Sequence, residues 1–225
     1  MLRMVFIDWD GPSVVSKFVY YGSVVEAFKK YGRKPPDIVT FGNEIAAAKT
    51  FQEFYAKYGL PDIEESEIAD IRDAYIAQNW HRIVPTAGFV HFLQTCKALE
   101  LPVVILSNNS DKVINRKLHE HRLSKYVSRV AGVTDKADYI GNLIALEGYN
   151  PSEMIHIDDT KEGLLAAKTY GVHTLAFTGG YNTKPRLLEA NPEFPKHRNG
   201  TLSDMDDCFK VMDVVYDVHN SKERV

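Results

Sequence analysis

Short apolar runs separated by helix-length amphipathic stretches constrain this chain more than any other feature. The runs are "MVFID" (4–8), "LPVVILSNN" (101–109), "EMIHIDD" (153–159) and "VHTLAFTGG" (172–180), with a weaker one in "YVSRVAG" (126–132). Runs this apolar read as strands buried on both faces. Between them, "TAGFVHFLQTCKALE" (86–100) sets Phe89, Phe92, Leu93, Cys96 and Leu99 on one helical face. "KADYIGNLIALEGY" (136–149) repeats the spacing with Tyr139, Ile140, Leu143 and Leu146. "TKEGLLAAKTYG" (160–171) offers Leu164, Leu165, Ala167 and Lys168, and Gly171 stops it. Such alternation predicts a parallel α/β sheet.

Residues 15–84 break the rhythm. "SVVEAFKKYG" (23–32), "EIAAAKTFQEFYAKYG" (44–59) and "SEIADIRDAYIAQN" (66–79) are helical, with no convincing buried strand among them. A helical block of about 70 residues therefore interrupts the α/β pattern after its first strand, and the pattern resumes near "VPTAG" (84–88). The Pro- and Asn-rich stretch 182–200 reads as largely loop, and 202–218 as a closing helix capped by Ser203.

Polar residues gather where each strand ends. Asp8 and Asp10 follow the first, Ser107 with Asn108 and Asn109 the second, and Asp158 with Asp159 that of 153–157, while Lys136 opens the preceding helix. Alone, Ser107 or Lys136 reads as an ordinary cap or surface group, and Asp158–Asp159 as a helix N-terminus. In open α/β sheets, however, ligands bind outside the carboxyl ends of the strands, where all four elements would meet. Two carboxylates at i and i+2 of an extended chain share one side, which is unfavourable unless a cation or a reaction needs them. Carboxylates can hold Mg²⁺, and a lysine with a hydroxyl can hold phosphoryl oxygens. One aspartate can then attack phosphorus while the second moves protons.

These motifs resemble the haloacid dehalogenase-like phosphatase superfamily. "VFIDWDGP" is similar to its Asp-x-Asp-Gly-Thr motif, "VVILSNNS" to its second, "DKADYI" to its lysine motif, and "IHIDDTKEGLLAAKTYGVHTLAFTGGY" to its fourth. The resemblance implies a three-layer, Rossmann-like α/β core formed by residues 1–14 and 85–225, with a small helical cap at 15–84. It implies Asp8 as nucleophile and Asp10 as general acid/base. Mg²⁺ would be bound by Asp8, the Asp10 carbonyl and Asp158, with Asp159 or Glu162 completing its outer ligand sphere. Ser107, Asn108 and Lys136 would hold the phosphoryl group. Members that cleave carbon–halogen bonds usually lack the second aspartate, so Asp10 favours phosphoryl transfer. The expected enzyme is a Mg²⁺-dependent phosphatase of a small soluble phosphomonoester, similar to phosphoglycolate phosphatases. A phosphosugar mutase is the alternative within the family. Pro12, where the family has threonine, motivates another, a catalytically weak phospho-ligand-binding or regulatory protein. A receiver-type phosphoacceptor domain fits poorly, because its acidic residues come from different strands and it has no such insertion.

Composition narrows the rest. A net charge of −3 gives no broad attraction to nucleic acid or anionic membrane. Cys96 and Cys208 are too far apart for a zinc or disulfide framework. "MLRMVFIDWDG" turns acidic too early for a signal peptide, and no segment has the roughly 18 apolar residues of a membrane span. A cytoplasmic protein with a small-molecule partner is expected. His119 and His121 do not share a helical face and read as a solvated helix end. His156 reads as packed, and Trp80, His81 and Arg82 as substrate contacts or hinge packing.

Overall fold

The computed structural model describes residues 2–48, 50–194, 202 and 204–216. Strand β1 (Met4–Ile7) leads into the two-residue β2 (Val14–Val15) and then helices α1 (Lys17–Lys30), α2 (Ile38–Glu44), α3 (Phe51–Lys57) and α4 (Glu65–Asn79). The equally short β3 (Val84–Pro85) closes this block. Strict alternation follows: α5 (Phe89–Ala98), β4 (Val103–Ser107), α6 (Asp111–Glu120), β5 (Arg129–Gly132), α7 (Lys136–Glu147), β6 (Met154–Asp158), α8 (Lys161–Lys168) and β7 (His173–Ala176). Helices α9 (Lys184–Leu188) and α10 (Met205–Tyr216) come last.

The five longer strands form one parallel sheet in the order β5-β4-β1-β6-β7. Side chains of a strand alternate between faces, and here they feed two separate clusters. Val5, Ile7, Ile105, Ile155 and Ile157 join Phe89, Phe92, Leu93 and Cys96 of α5 on one side. Met4, Phe6, Val104, Leu106 and Met154 join Ile140 and Leu143 of α7 and Ala167 of α8 on the other. The result is the expected three-layer α/β core. From β1 the chain moves first to β4 and β5, then returns to the opposite side for β6 and β7. The strand order therefore reverses between β1 and β6, where such sheets open a crevice for ligands.

Helices α1–α4 carry their own apolar cluster, with Val24, Phe28, Phe41, Phe54, Tyr55 and Ile68 buried. The block leaves and rejoins the sheet through one antiparallel ribbon, Val14 opposite Pro85 and Val15 opposite Val84. Beside it, the Trp80 indole N–H donates to both Glu120 carboxylate oxygens, at 2.8 and 2.7 Å. Lys117 Nζ sits 4.1 Å from the centre of that ring and donates to the Trp80 carbonyl. Trp80 thus packs the junction. Among the described residues, His119 and His121 join no metal-capable cluster.

Several local expectations need correction. The stretch 44–59 is not one helix: α2 ends at Glu44 and α3 starts only at Phe51, where Thr50 caps it, its hydroxyl accepting from Glu53 N–H at 3.1 Å. Leu146 is 85% exposed: two successive steps of three carry it about 120° away from Ile140. Leu165 is likewise exposed. The stretch 182–200 contains α9, with Pro185 in its first turn. Ser203, residues 195–201 and residues 217–218 lie outside the described residues.

Candidate active site

Three strand ends and one helix start meet at the reversal point. Asp8 stands just past β1, its N–H donating to the Ile157 carbonyl at 2.9 Å. Since Ile7 pairs with Ile157, Asp158 at the end of β6 lies beside it. Asp135 caps α7 by accepting from Asp138 N–H, so Lys136 opens that helix facing the crevice. Lys136 Nζ lies 2.9 Å from Asp8 Oδ1 and 2.7 Å from Asp158 Oδ2, with all three side chains buried. Ser107 ends β4, buried, and its Oγ accepts from Asn109 N–H.

The carboxylates differ in what they touch. Asp158 Oδ2 meets Lys136 and His156 Nε2, and its Oδ1 accepts from Thr160 N–H at 2.8 Å and Oγ1 at 2.7 Å. Both of its oxygens are occupied. Burial alone would raise its pKa, but Lys136 and His156 outweigh burial and hold it below the usual carboxylate range. Asp159, also fully buried, accepts from Tyr181 N–H through Oδ2 and leaves Oδ1 with no partner. Glu162 instead pairs with Arg186 at 2.7 Å. Oxygens of Asp8, Asp158 and Asp159 lie within 4.8 Å of one another, so the two candidates separate: Asp159 joins the cluster and Glu162 does not. The resemblance implies Asp158 as a cation ligand beside Asp8 and the Asp10 carbonyl; the carboxylate with an unpartnered oxygen is Asp159.

Three buried carboxylates face one lysine. Burial raises Asp8 to about 7, with Lys136 pulling it down and Asp158 and Asp10 pushing it up. Burial, then Asp8 and Asp158, hold Asp159 well above the normal range. Lys136 is pulled down by burial, yet Asp158 and Asp8 outweigh this and keep it above the ordinary lysine value. Burial also raises Asp10, against the hydrogen bond that Asn109 donates to it. An all-oxygen, over-negative cluster with an unpartnered Oδ1 fits a hard divalent cation such as Mg²⁺.

A haloacid dehalogenase-like hydrolase family model matches residues 8–177, from the Asp8 strand end through β7. This chain belongs to the haloacid dehalogenase-like hydrolase family. It is similar to phosphoglycolate phosphatase 1 of Pseudomonas aeruginosa, at 24% identity over 204 residues, covering 84% of this chain and 74% of that protein. It is also similar to phosphoglycolate phosphatase of Vibrio vulnificus, at 26% over 144 residues, covering 60% of this chain and 62% of that relative. A haloacid dehalogenase-like family protein from Streptococcus pneumoniae shares the fold, with TM-score 0.76 and 19% identity over 94% of this chain and 98% of the other. This chain is thus a hydrolase of that family, similar to its phosphatases.

The loop after Asp8 carries Pro12, which has no backbone N–H. Two side-chain hydroxyls hold the loop. The neighbouring Ser13 hydroxyl donates to the Asp8 carbonyl at 2.7 Å, and Thr86 Oγ1 donates to the Gly11 carbonyl at 2.7 Å. The sequence names Asn108, Asn109 and His156 but does not assign their contacts. Asn108 is exposed, while its neighbour Asn109 turns inward and donates through Nδ2 to Asp10 Oδ2 at 3.3 Å and to Tyr20 Oη. His156 is packed as expected, fully buried against the edge of Phe6, but it also holds Asp158.

Two expected results follow from this geometry. A Cβ on Gly163 would collide with the Asp158 carboxylate. Gly163→Ala should therefore cost stability by roughly 1–3 kcal/mol, read by denaturant titration; an unchanged midpoint contradicts the placement. The second result concerns pH. Asp8 holds its proton more tightly folded than unfolded, with about 7 against 3.8, and Asp159 shifts the same way. The folded state then binds more protons between these values, so these groups lose stability as pH rises through them. The metal-free protein should melt lower at pH 8 than at pH 5, and Asp8→Asn should flatten that dependence. An equal slope in parent and variant contradicts the Asp8 assignment.

Proposed function

We propose that this hydrolase is a Mg²⁺-dependent phosphatase acting on a small soluble phosphomonoester, with phosphoglycolate the first candidate. The observation that carries the reading is the Asp8–Lys136–Asp158–Asp159 cluster at the strand-order reversal. Asp8 Oδ attacks phosphorus and the bond from phosphorus to the leaving oxygen breaks, while Asp10 gives that oxygen its proton. Burial raises the pKa of Asp10, the direction that favours its acid form. Water then attacks the same phosphorus, Asp10 takes its proton, the bond to Asp8 breaks, and inorganic phosphate leaves. Ser107 and Lys136 hold the phosphoryl oxygens, with Asn108 at the rim. Asp8, the Asp10 carbonyl and Asp159 would hold the cation, and Asp158 serves chiefly to fix Lys136. A cation held there would offset the repulsion between phosphoryl group and carboxylate. Residues 15–84 form a lid over the site, hinged at the β2–β3 ribbon.

The leaving group of a small phosphomonoester would sit beside Asp10, where Asn109 bridges to the Tyr20 hydroxyl of α1. The likeness to phosphoglycolate phosphatases supports the same class. Among the described residues, no helix is long and apolar enough to cross a membrane. The test is a panel of phosphorylated metabolites assayed with Mg²⁺ and with EDTA, scoring both free phosphate and isomerised sugar phosphate. Phosphate release that EDTA abolishes is expected. Isomerisation without net release would make the protein a mutase, and activity untouched by EDTA would remove the cation.

A further inference from the structure

The loop after β7 leaves the sheet and enters the helical block. Tyr181 is 8% exposed and belongs to that block's apolar cluster, its ring centre 5.9 Å from that of Phe41. Asn182 Nδ2 donates to the Gly42 carbonyl at 2.8 Å, and Thr183 directs its N–H (2.8 Å) and hydroxyl (3.1 Å) at Asn43 Oδ1. From α1, Lys17 Nζ donates to the carbonyls of Tyr181 at 2.9 Å and Gly180 at 3.3 Å. The approach is close enough that a Cβ on Gly42 would collide with the Tyr181 carbonyl oxygen. Three consecutive residues are thereby fastened to α1 and α2.

The same residues also grip Asp159. Tyr181 N–H donates to Asp159 Oδ2, and Asn182 N–H donates to the Asp159 carbonyl at 3.1 Å. Asn182 Oδ1 accepts from Lys161 N–H at 2.8 Å. A Cβ on Gly180 would strike the Asp159 carboxylate, so the contact leaves no slack. One carboxylate oxygen is aimed by an amide whose own side chain is anchored in the helical block. The other oxygen is left unpartnered.

We propose that Tyr181–Thr183 form a positioning strap that ties the seating of the helical block to the orientation of Asp159, so that block docking and cation binding are coupled. This rests on the reading of Asp159 as a cation ligand. Groups that orient a ligating carboxylate commonly set metal affinity by about 10–100-fold. Coupling between two equilibria is reciprocal, so a cation at Asp159 must strengthen docking of the block by the same factor.

Calorimetric titration of Mg²⁺ into the full chain without substrate tests this. Tyr181→Phe keeps the ring and the N–H and should bind within about twofold of the parent. Tyr181→Ala keeps the N–H but loses its anchor and should bind about tenfold more weakly. Asn43→Ala lies in the block itself, frees Thr183 and should weaken binding about threefold, which keeps the test decisive if Tyr181→Ala does not fold. In the parent, Mg²⁺ should also slow hydrogen exchange in residues 38–44, and in Tyr181→Ala it should not. Parent-like Mg²⁺ affinity in folded Tyr181→Ala or in Asn43→Ala, or exchange at 38–44 that Mg²⁺ leaves unchanged in the parent, overturns the strap. Failure of the underlying reading looks different: Asp159→Asn would then bind Mg²⁺ as tightly as the parent, and the strap would have nothing to position.

Discussion

Asp8→Asn should lower turnover by at least about four orders of magnitude while the protein stays folded. The amide matches the carboxylate in shape, but its oxygen is a far poorer nucleophile towards phosphorus. The main-chain frame does not depend on the charge, because Asp8 N–H is held by Ile157 and its carbonyl by the Ser13 hydroxyl. Removing one carboxylate from an over-negative cluster should even raise the melting temperature in EDTA above neutral pH. Phosphate release by a quantitatively folded variant reads the effect. Turnover within about tenfold of the parent would deny Asp8 the nucleophile's role.

Lys136→Met should be the most destabilising single change in the site. Among the described residues, Lys136 is the one cation paired with both Asp8 and Asp158, at 2.9 and 2.7 Å, and its side chain is 9% exposed. Methionine fills similar space but leaves buried carboxylates unopposed. Breaking such a pair from one side costs about 3–5 kcal/mol. The loss should be larger at pH 9 than at pH 6, since Asp8 can escape its new surroundings only by taking a proton. Urea titration at the two pH values in EDTA measures it. A pH-independent loss below about 1 kcal/mol would mean that these charges are solvated and not buried.

The core was legible because central parallel strands are apolar on both faces, so the first polar residue after each run marks a strand end. Asp8, Ser107 and Asp158 were found this way, and Lys136 by its place at a helix start. What lay one residue further was not legible. Once the chain leaves extended geometry, alternation no longer assigns sides. Nothing in "SNNS" tells that Asn108 faces out and Asn109 in, nor in "DDT" that Asp158 is saturated by Lys136, His156 and Thr160 while Asp159 keeps a free oxygen. The break between α2 and α3 did carry a signal, the Thr50-x-x-Glu53 spacing of a capping box. The grip of Tyr181 on Asp159 had none, because it joins a loop near residue 180 to helices at residues 17–44.

Beryllofluoride binds an aspartate carboxylate as a mimic of the phosphoryl group, so ¹⁹F NMR of its complex tests the account most directly. With Mg²⁺ present, the parent should give bound fluorine resonances that EDTA removes and that Asp8→Asn does not form. Bound resonances of equal intensity in Asp8→Asn, or none in the parent with Mg²⁺, would contradict the claim that Asp8 accepts a phosphoryl group beside a divalent cation.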